Sequence, residues 1–187
     1  MLTLVWPAAE HLASYVAALE GGWSADNVRG AVAAQEELVR IREDAAGFIA
    51  AQVDREARGG PVTLPDGSTV ARLPGFRRWL WDDTGFCGVI GLRWQPGTEA
   101  LPPHCLGHVG YAVVPGRRGR GYATQALAQT LPLARVEGLR WIELTTDEDN
   151  LASQRVIAAN GGVLVERFDK PAAFGGKPGQ RWRIDLA

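Results

Sequence analysis

Residues 109–124 read V-G-Y-A-V-V-P-G-R-R-G-R-G-Y-A-T, from Val109 to Thr124. The first half is strand-like, because Val109, Tyr111, Val113 and Val114 are the β-branched and aromatic types that strands favour. Pro115 ends the strand, since it has no N–H to give to a sheet ladder. Gly116, Gly119 and Gly121 then fall within six positions. From Ala123 to Val136 the pattern becomes helical, with Ala123, Leu127, Leu131 and Ala134 on one face. A strand, a Gly-rich turn and a helix start together make an anion site. Glycine lets the backbone come close, and the first helical N–H groups point outward with the positive end of the helix dipole behind them. Arg117, Arg118 and Arg120 add fixed positive charge and forked donors suited to phosphate. The stretch therefore reads as a site for a phosphorylated cofactor, against the plain alternative of a solvated basic turn.

The kind of phosphate is narrowed by what the loop lacks. It has neither the third glycine of the dinucleotide fingerprint nor the Lys-Ser/Thr pair of a P-loop. Composition narrows it further. The 187 residues are 46% hydrophobic and 22% charged, values of a soluble globular chain, and one domain spanning 1–187 is expected. A net charge of −1 argues against broad nucleic-acid binding. Cys87 and Cys105 are the only cysteines, without metal spacing and too few for a disulfide scaffold, so reduced thiols in the cytoplasm are expected and no metal is. The N-terminal residues carry no signal-peptide pattern, and no apolar run approaches the roughly 20 residues of a membrane span.

The other elements follow in order. A first strand is predicted over Leu2–Trp6 and a helix over Ala8–Leu19. A long helical region runs from Asn27 to about Arg58, with an apolar stripe of Val28, Val32, Leu38, Ile41, Ala45, Phe48 and Ile49 and a break at Gly47. A small hairpin or loop surrounds Pro65-Asp66-Gly67. Strands Arg77–Trp81 and Phe86–Trp94 form a hairpin around Asp82–Gly85, and Leu106–Val114 completes a meander. After the cofactor helix, which Pro132 should kink or shorten, come strand Trp141–Thr146, helix Asn150–Ala159 and strands Val163–Phe168 and Arg181–Leu186. Asp147, Glu148 and Asp149 are expected to stabilise the start of that last helix through its dipole, and Asn160-Gly161-Gly162 to end it. A meander followed by a strand–helix–strand crossover implies a mixed α/β sheet.

The order Arg118-x-x-Gly121-x-Ala123 resembles the diphosphate motif of the GNAT superfamily of acyl-CoA N-acyltransferases. The likeness extends through Val113-Val114-Pro115, the strand Trp141–Thr146, the run Asp149-Asn150-Leu151-Ala152-Ser153-Gln154-Arg155-Val156-Ile157 and Asn160-Gly161-Gly162. The words around Gly107-His108-Val109-Gly110-Tyr111 are similar to those of a group of poorly characterised bacterial acetyltransferases. The resemblance implies a GNAT-like mixed central sheet flanked by helices, with two central parallel strands, Val109–Val114 and Trp141–Thr146, splayed at the acyl-CoA site. It implies acetyl-CoA as donor, its pantetheine arm on the backbone near Val113. Its diphosphate would lie on the backbone N–H groups of Arg118, Gly119, Arg120, Gly121, Tyr122, Ala123 and Thr124, and its thiol end near Asn150 and Ser153. The acceptor would be a primary amine, on a small molecule or a protein, and the enzyme a monomer or homodimer. One position departs from the family pattern: the tyrosine often assigned as acid for the leaving thiolate is Ile157 here. Ser153, Tyr122, a water or no residue then fills that role.

Acyl transfer to an amine needs a neutral nucleophile, so a base that titrates near neutral pH helps. His108 is the first candidate, on the strand leading to the cleft; the plain alternative is a hydrogen bond to a loop or an edge position. Glu143, on the opposite central strand, is the second, against an ion-paired sheet residue. His104 and Glu99 precede the strand and are candidates for substrate contact. Cys87 or Cys105 as covalent acyl carrier lacks the setting of an activated thiolate. Two rival readings remain: a non-catalytic acyl-CoA-binding or sensor module, and a nucleotide-binding protein using the same loop.

Overall fold

The computed structural model describes residues 1–64 and 66–186. Pro65, in the predicted hairpin, lies outside the described residues. The chain runs β1 (Thr3–Val5), α1 (Ala9–Glu20), α2 (Ala31–Glu43), α3 (Ala45–Ala50), β2 (Val53–Asp54), β3 (Val62–Thr63), β4 (Thr69–Val70), β5 (Gly75–Asp82), β6 (Gly85–Arg93) and β7 (Val109–Val113). A 3₁₀ turn at Pro115–Arg117 leads to α4 (Tyr122–Val136), β8 (Trp141–Asp147), α5 (Leu151–Ala159), β9 (Val163–Asp169) and β10 (Pro178–Asp185).

The strands form two main sheets. The first has the order β1-β5-β6-β7, with β2 on the far end of β5; the second has the order β8-β10-β9. Every ladder between the described strands is antiparallel. The mixed central sheet expected from the resemblance is thus replaced by two antiparallel sheets, with no parallel ladder between the described strands. β7 and β8 do lie side by side, but they share one backbone hydrogen bond, from His108 N to the Glu143 carbonyl at 2.8 Å. Each strand spends its pairing capacity on an antiparallel neighbour on its other side, β7 on β6 and β8 on β10.

Alternation along the strands sorts the core into two layers. On one face of the first sheet Trp79, Phe86 and Val89 pack with Tyr15, Leu19, Leu38 and Phe48 of α1 to α3. On the other, Phe76, Leu80, Ile90 and Leu92 pack with Ala126, Leu127 and Ala134 of α4, and with Ile142, Leu144 and Ile184 of the second sheet. α4 is thus the element that joins the two sheets. Pro132 sits inside α4, yet the helix continues to Val136, and Gly138 at φ +87° ends it. Among the described residues no helix is long and apolar enough to cross a membrane.

The long helical region is divided at Asp44, not at Gly47. The Asp44 carboxylate accepts from Gly47 N at 2.8 Å and caps α3, as a short acceptor side chain does at a helix start. Val28 and Val32, expected in the apolar stripe, are 60% and 62% exposed; Ala33 and Ala34 take the buried positions. The turn at 27–30 delays the helix to Ala31 and leaves Val28 outside it, and Val32 falls on the side of α2 opposite Ala34, Leu38 and Ile41.

Candidate active site

The Gly-rich loop runs from the end of β7 to α4. Gly119 and Gly121 hold φ of +75° and +74°, a region that L side chains enter at a cost. Gly121 is the N-cap of α4, and no side chain caps the helix. The N–H groups of Tyr122, Ala123 and Thr124 therefore have no acceptor within the helix and face outward with the dipole behind them. Arg118 and Arg120 are exposed beside them.

The three arginines are not equivalent. Arg118 donates from Nε to the Val113 carbonyl at 3.1 Å. Arg117 pairs with the buried carboxylate of Asp82 at 3.3 Å. The same Asp82 oxygen accepts from the Tyr122 hydroxyl at 2.7 Å, and the other oxygen accepts from Thr84 N at 2.8 Å and Thr84 Oγ1 at 2.6 Å. The Thr84 hydroxyl, followed by those of Tyr122 and the Thr84 amide, holds the Asp82 carboxyl well below the usual carboxylate range. Asp82 thus ties the tip of the β5–β6 hairpin to the loop and to the first turn of α4. Sequence reasoning passed over it as a turn residue, because nothing local marks a carboxylate whose partners lie 35 and 40 residues away. Tyr122 spends its hydroxyl on this anchor and its pKa is raised by that bond.

The first turn of α5 closes the other side. Asn150 is its N-cap and accepts from Ser153 N at 3.0 Å. The capping role expected of Asp147, Glu148 and Asp149 belongs to Asn150, since Asp147 is still in β8 and pairs with Lys170. Two further residues join the three elements. Tyr111 of β7 reaches the Ser153 carbonyl with its hydroxyl at 3.4 Å. Asn160 Nδ2 donates to the Thr124 carbonyl of α4 at 3.2 Å and to the Val156 carbonyl of α5 at 2.9 Å. Val113, Arg118 to Thr124, Asn150 and Ser153 are thereby grouped at the end of β7 and the starts of α4 and α5. Ile157 lies below them, 1% exposed in the core.

His108 and Glu143 lie on the other side of the strands. Val109, Tyr111 and Val113 face α4, whereas Ala112 and Val114 pack with α1 to α3, so His108 falls on the latter face. It is 0% exposed. Its Nδ1 accepts from Glu143 N at 2.9 Å, which puts the imidazole proton on Nε2. Burial lowers its pKa, against the Glu143 carboxylate, which raises it. Glu143 is gripped by two arginines of β10, Arg183 at 2.9 Å and Arg181 at 3.7 Å, and Arg183 also stacks over Trp141 at 4.0 Å. Glu99 binds Arg140 through both oxygens at 2.6 and 3.2 Å, an ion pair away from the loop. Cys87 is buried, its thiol pKa pushed up to about 11 by burial and then by Asp82, the opposite of an activated thiolate. No group of His, Cys, Asp and Glu among the described residues has the arrangement of a metal site.

The end of a strand, an uncapped helix start with two left-handed glycines and a second helix start thus lie beside one another. The family profile described as Acetyltransferase (GNAT) domain matches residues 2–163. The chain belongs to the GNAT acetyltransferase family. It is a GNAT-type acetyltransferase with acetyl-CoA as donor. The solved structures it is similar to include the microcin C7 self-immunity acetyltransferase MccE with acetyl-CoA and AMP, at 14% identity and a TM-score of 0.64, covering 98% of this chain and 92% of that one. The ribosomal L7/L12 α-N-protein acetyltransferase RimL with coenzyme A aligns at 13% identity and a TM-score of 0.64, covering 98% and 93%. Spermidine N-acetyltransferase from Vibrio cholerae with CoA and spermine aligns at 13% identity and 0.61, covering 99% and 95%. At these identities the likeness is one of fold. No curated protein matches the sequence significantly.

Proposed function

We propose that the enzyme acetylates a primary amine in a ternary complex, with acetyl-CoA lying in the slot between β7 and β8 and the amine approaching from the opposite face. The observation that carries this reading is the sorting of the site into two faces. Gly119, Gly121 and the uncapped start of α4 lie with α5 on one side of the strands, and His108 and Glu143 on the other.

In this reading the N–H groups of residues 119 to 124 hold the diphosphate and Arg120 adds charge to it, the Arg118 N–H being donated to the Pro115 carbonyl. Arg118 and the Val113 backbone hold the arm, and Asn150 and Ser153 its thiol end. When bound, acetyl-CoA supplies an activated thioester open to direct attack by the amine. Orientation of the two reactants is the main source of rate, and backbone donors along the free edge of β7 stabilise developing negative charge. Tyr122 is committed to Asp82, so Ser153 Oγ and the Tyr111 hydroxyl are the protic groups we assign to the wall beside the leaving sulfur. His108 as base finds no support in its geometry, because its acceptor nitrogen is occupied and the ring is sealed from solvent. Both Glu143 oxygens are engaged by arginines, and we assign it to orienting the acceptor side.

Calorimetric titration with acetyl-CoA, ATP and NAD tests the donor side; binding of acetyl-CoA alone is expected. Thiol release across a panel of polyamines, aminoacyl compounds and peptides with free N-termini then tests the acceptor side. Acetyl-CoA binding without turnover on any amine would favour the non-catalytic sensor.

A further inference from the structure

One backbone hydrogen bond joins β8 to the residue that leads into β7. His108 N donates to the Glu143 carbonyl at 2.8 Å. In a continuing ladder the Glu143 N–H would return to a backbone carbonyl of the neighbouring strand. Here it goes instead to a side chain, His108 Nδ1, at 2.9 Å. The His108 carbonyl is turned the other way and accepts from Arg93 N at 2.9 Å. A single residue thus brackets both polar groups of Glu143, one with its backbone and one with its ring. The bracket gives the Glu143 N–H a partner where no backbone carbonyl of a ladder takes it.

The surroundings lock the bracket. Trp141 packs edge-on against the imidazole, with ring centres 5.7 Å apart. Gly107, one residue earlier, lies so close to β8 that a Cβ there would sit 3.1 Å from the Glu143 carbonyl oxygen and 3.3 Å from Leu144 Cα. The Thr145 hydroxyl donates to the Leu106 carbonyl. Leu106, Gly107 and His108 thus meet Thr145, the 143–145 backbone and Glu143 in turn, and among the described residues no ladder joins β7 to β8.

We infer that His108 is a positioning residue, the pivot of the fork between β7 and β8: by satisfying the Glu143 N–H with its ring it sets how far the strands stand apart, and so the width of the acetyl-CoA slot. This rests on the proposed reading that acetyl-CoA lies between these strands. It assigns His108 a structural acceptor role in place of proton transfer.

Two substitutions separate the roles. His108→Asn keeps an acceptor at the δ position, whereas His108→Leu removes it at similar bulk. Loss of a partner for a buried N–H predicts that His108→Leu weakens acetyl-CoA binding at least about tenfold, while His108→Asn restores most of the affinity. A base would show the reverse pattern, with both variants losing kcat equally at unchanged affinity. Should His108→Leu not fold, long-range ¹⁵N–¹H NMR of the wild-type protein decides the point, for the bracket requires Nε2 protonated and Nδ1 bare; a proton on Nδ1 overturns it. Equal acetyl-CoA affinity in wild type and a folded His108→Leu overturns the pivot and leaves the slot assignment standing. Absence of acetyl-CoA binding by the folded wild type overturns the slot assignment itself, and with it the effect claimed for the pivot.

Discussion

Gly121 is the position at which fold and cofactor binding can be separated by measurement. Its φ of +74° lies in the left-handed region, and a Cβ added there would meet only Gln125 Nε2, at 3.7 Å. Space is available, so Gly121→Ala carries a conformational cost alone, about 1–2 kcal/mol. For a chain of this size each kcal/mol lowers Tm by about 2–4 °C, so a fall of about 2–8 °C is expected. Gly116→Ala is the control, because Gly116 lacks a positive φ and a Cβ there meets nothing within 4 Å. Gly121→Glu adds a second term. Its carboxylate would stand beside the N–H groups of Tyr122 to Thr124, where the diphosphate is assigned. Two like charges about 4 Å apart repel by about 1 kcal/mol in water and more near a protein surface. Against a diphosphate with at least two charges the loss is at least about 2 kcal/mol, or about thirtyfold in affinity. Thermal unfolding by circular dichroism reads the first term, and calorimetric titration with acetyl-CoA reads the second. A folded Gly121→Glu variant that binds acetyl-CoA within about threefold of wild type would refute the assignment of the loop.

Three further expectations follow from particular contacts. Asp82→Ala strips partners from Tyr122, Arg117 and Thr84 and should cost about 2–3 kcal/mol of stability and raise the KM for acetyl-CoA far more than it lowers kcat; an unchanged KM would show that the anchor does not shape the loop. Because the Asp82 pKa is depressed in the folded state, its stabilisation is complete above its unfolded value near pH 4 and is lost as pH falls through the folded value, so urea unfolding of Asp82→Ala should show a weaker acid dependence than wild type. His108 is buried neutral with a lowered pKa, Glu143 opposing and Arg93 reinforcing that shift; stability should therefore fall as pH drops below about 6.5, and thermal melts of His108→Asn should lack that segment of the curve. Leu127→Ala, at the 0% exposed centre of the core shared by both sheets, should cost about 2–5 kcal/mol in urea unfolding; less than about 1 kcal/mol would mean that α4 does not join the sheets through this residue.

The sequence by itself determined what depends on neighbours in the chain. The strand, glycines and helix of residues 109–136 were legible because Pro115, Gly119 and Gly121 act through local backbone geometry, and α4 begins within one residue of the predicted start. Apolar periodicity located α1, α5 and the β5–β6 hairpin for the same reason. The loop composition suggested a phosphate, since a glycine turn and a helix start are read from neighbours in the chain. The tertiary structure alone decided the rest. Asp82 is a turn residue until folding brings Tyr122 and Arg117 to it. Asn160 reads as a helix end, yet its side chain crosses to Thr124, and its φ of −101° leaves the left-handed position to Gly161. His108 looks like a base in sequence because an imidazole titrates near neutral pH; its ring became an acceptor for Glu143 N only when β7 and β8 were set side by side. Whether two strands pair or part, and which proton a ring nitrogen takes, are settled by contacts across 35 residues of chain, and local propensity carries no record of them.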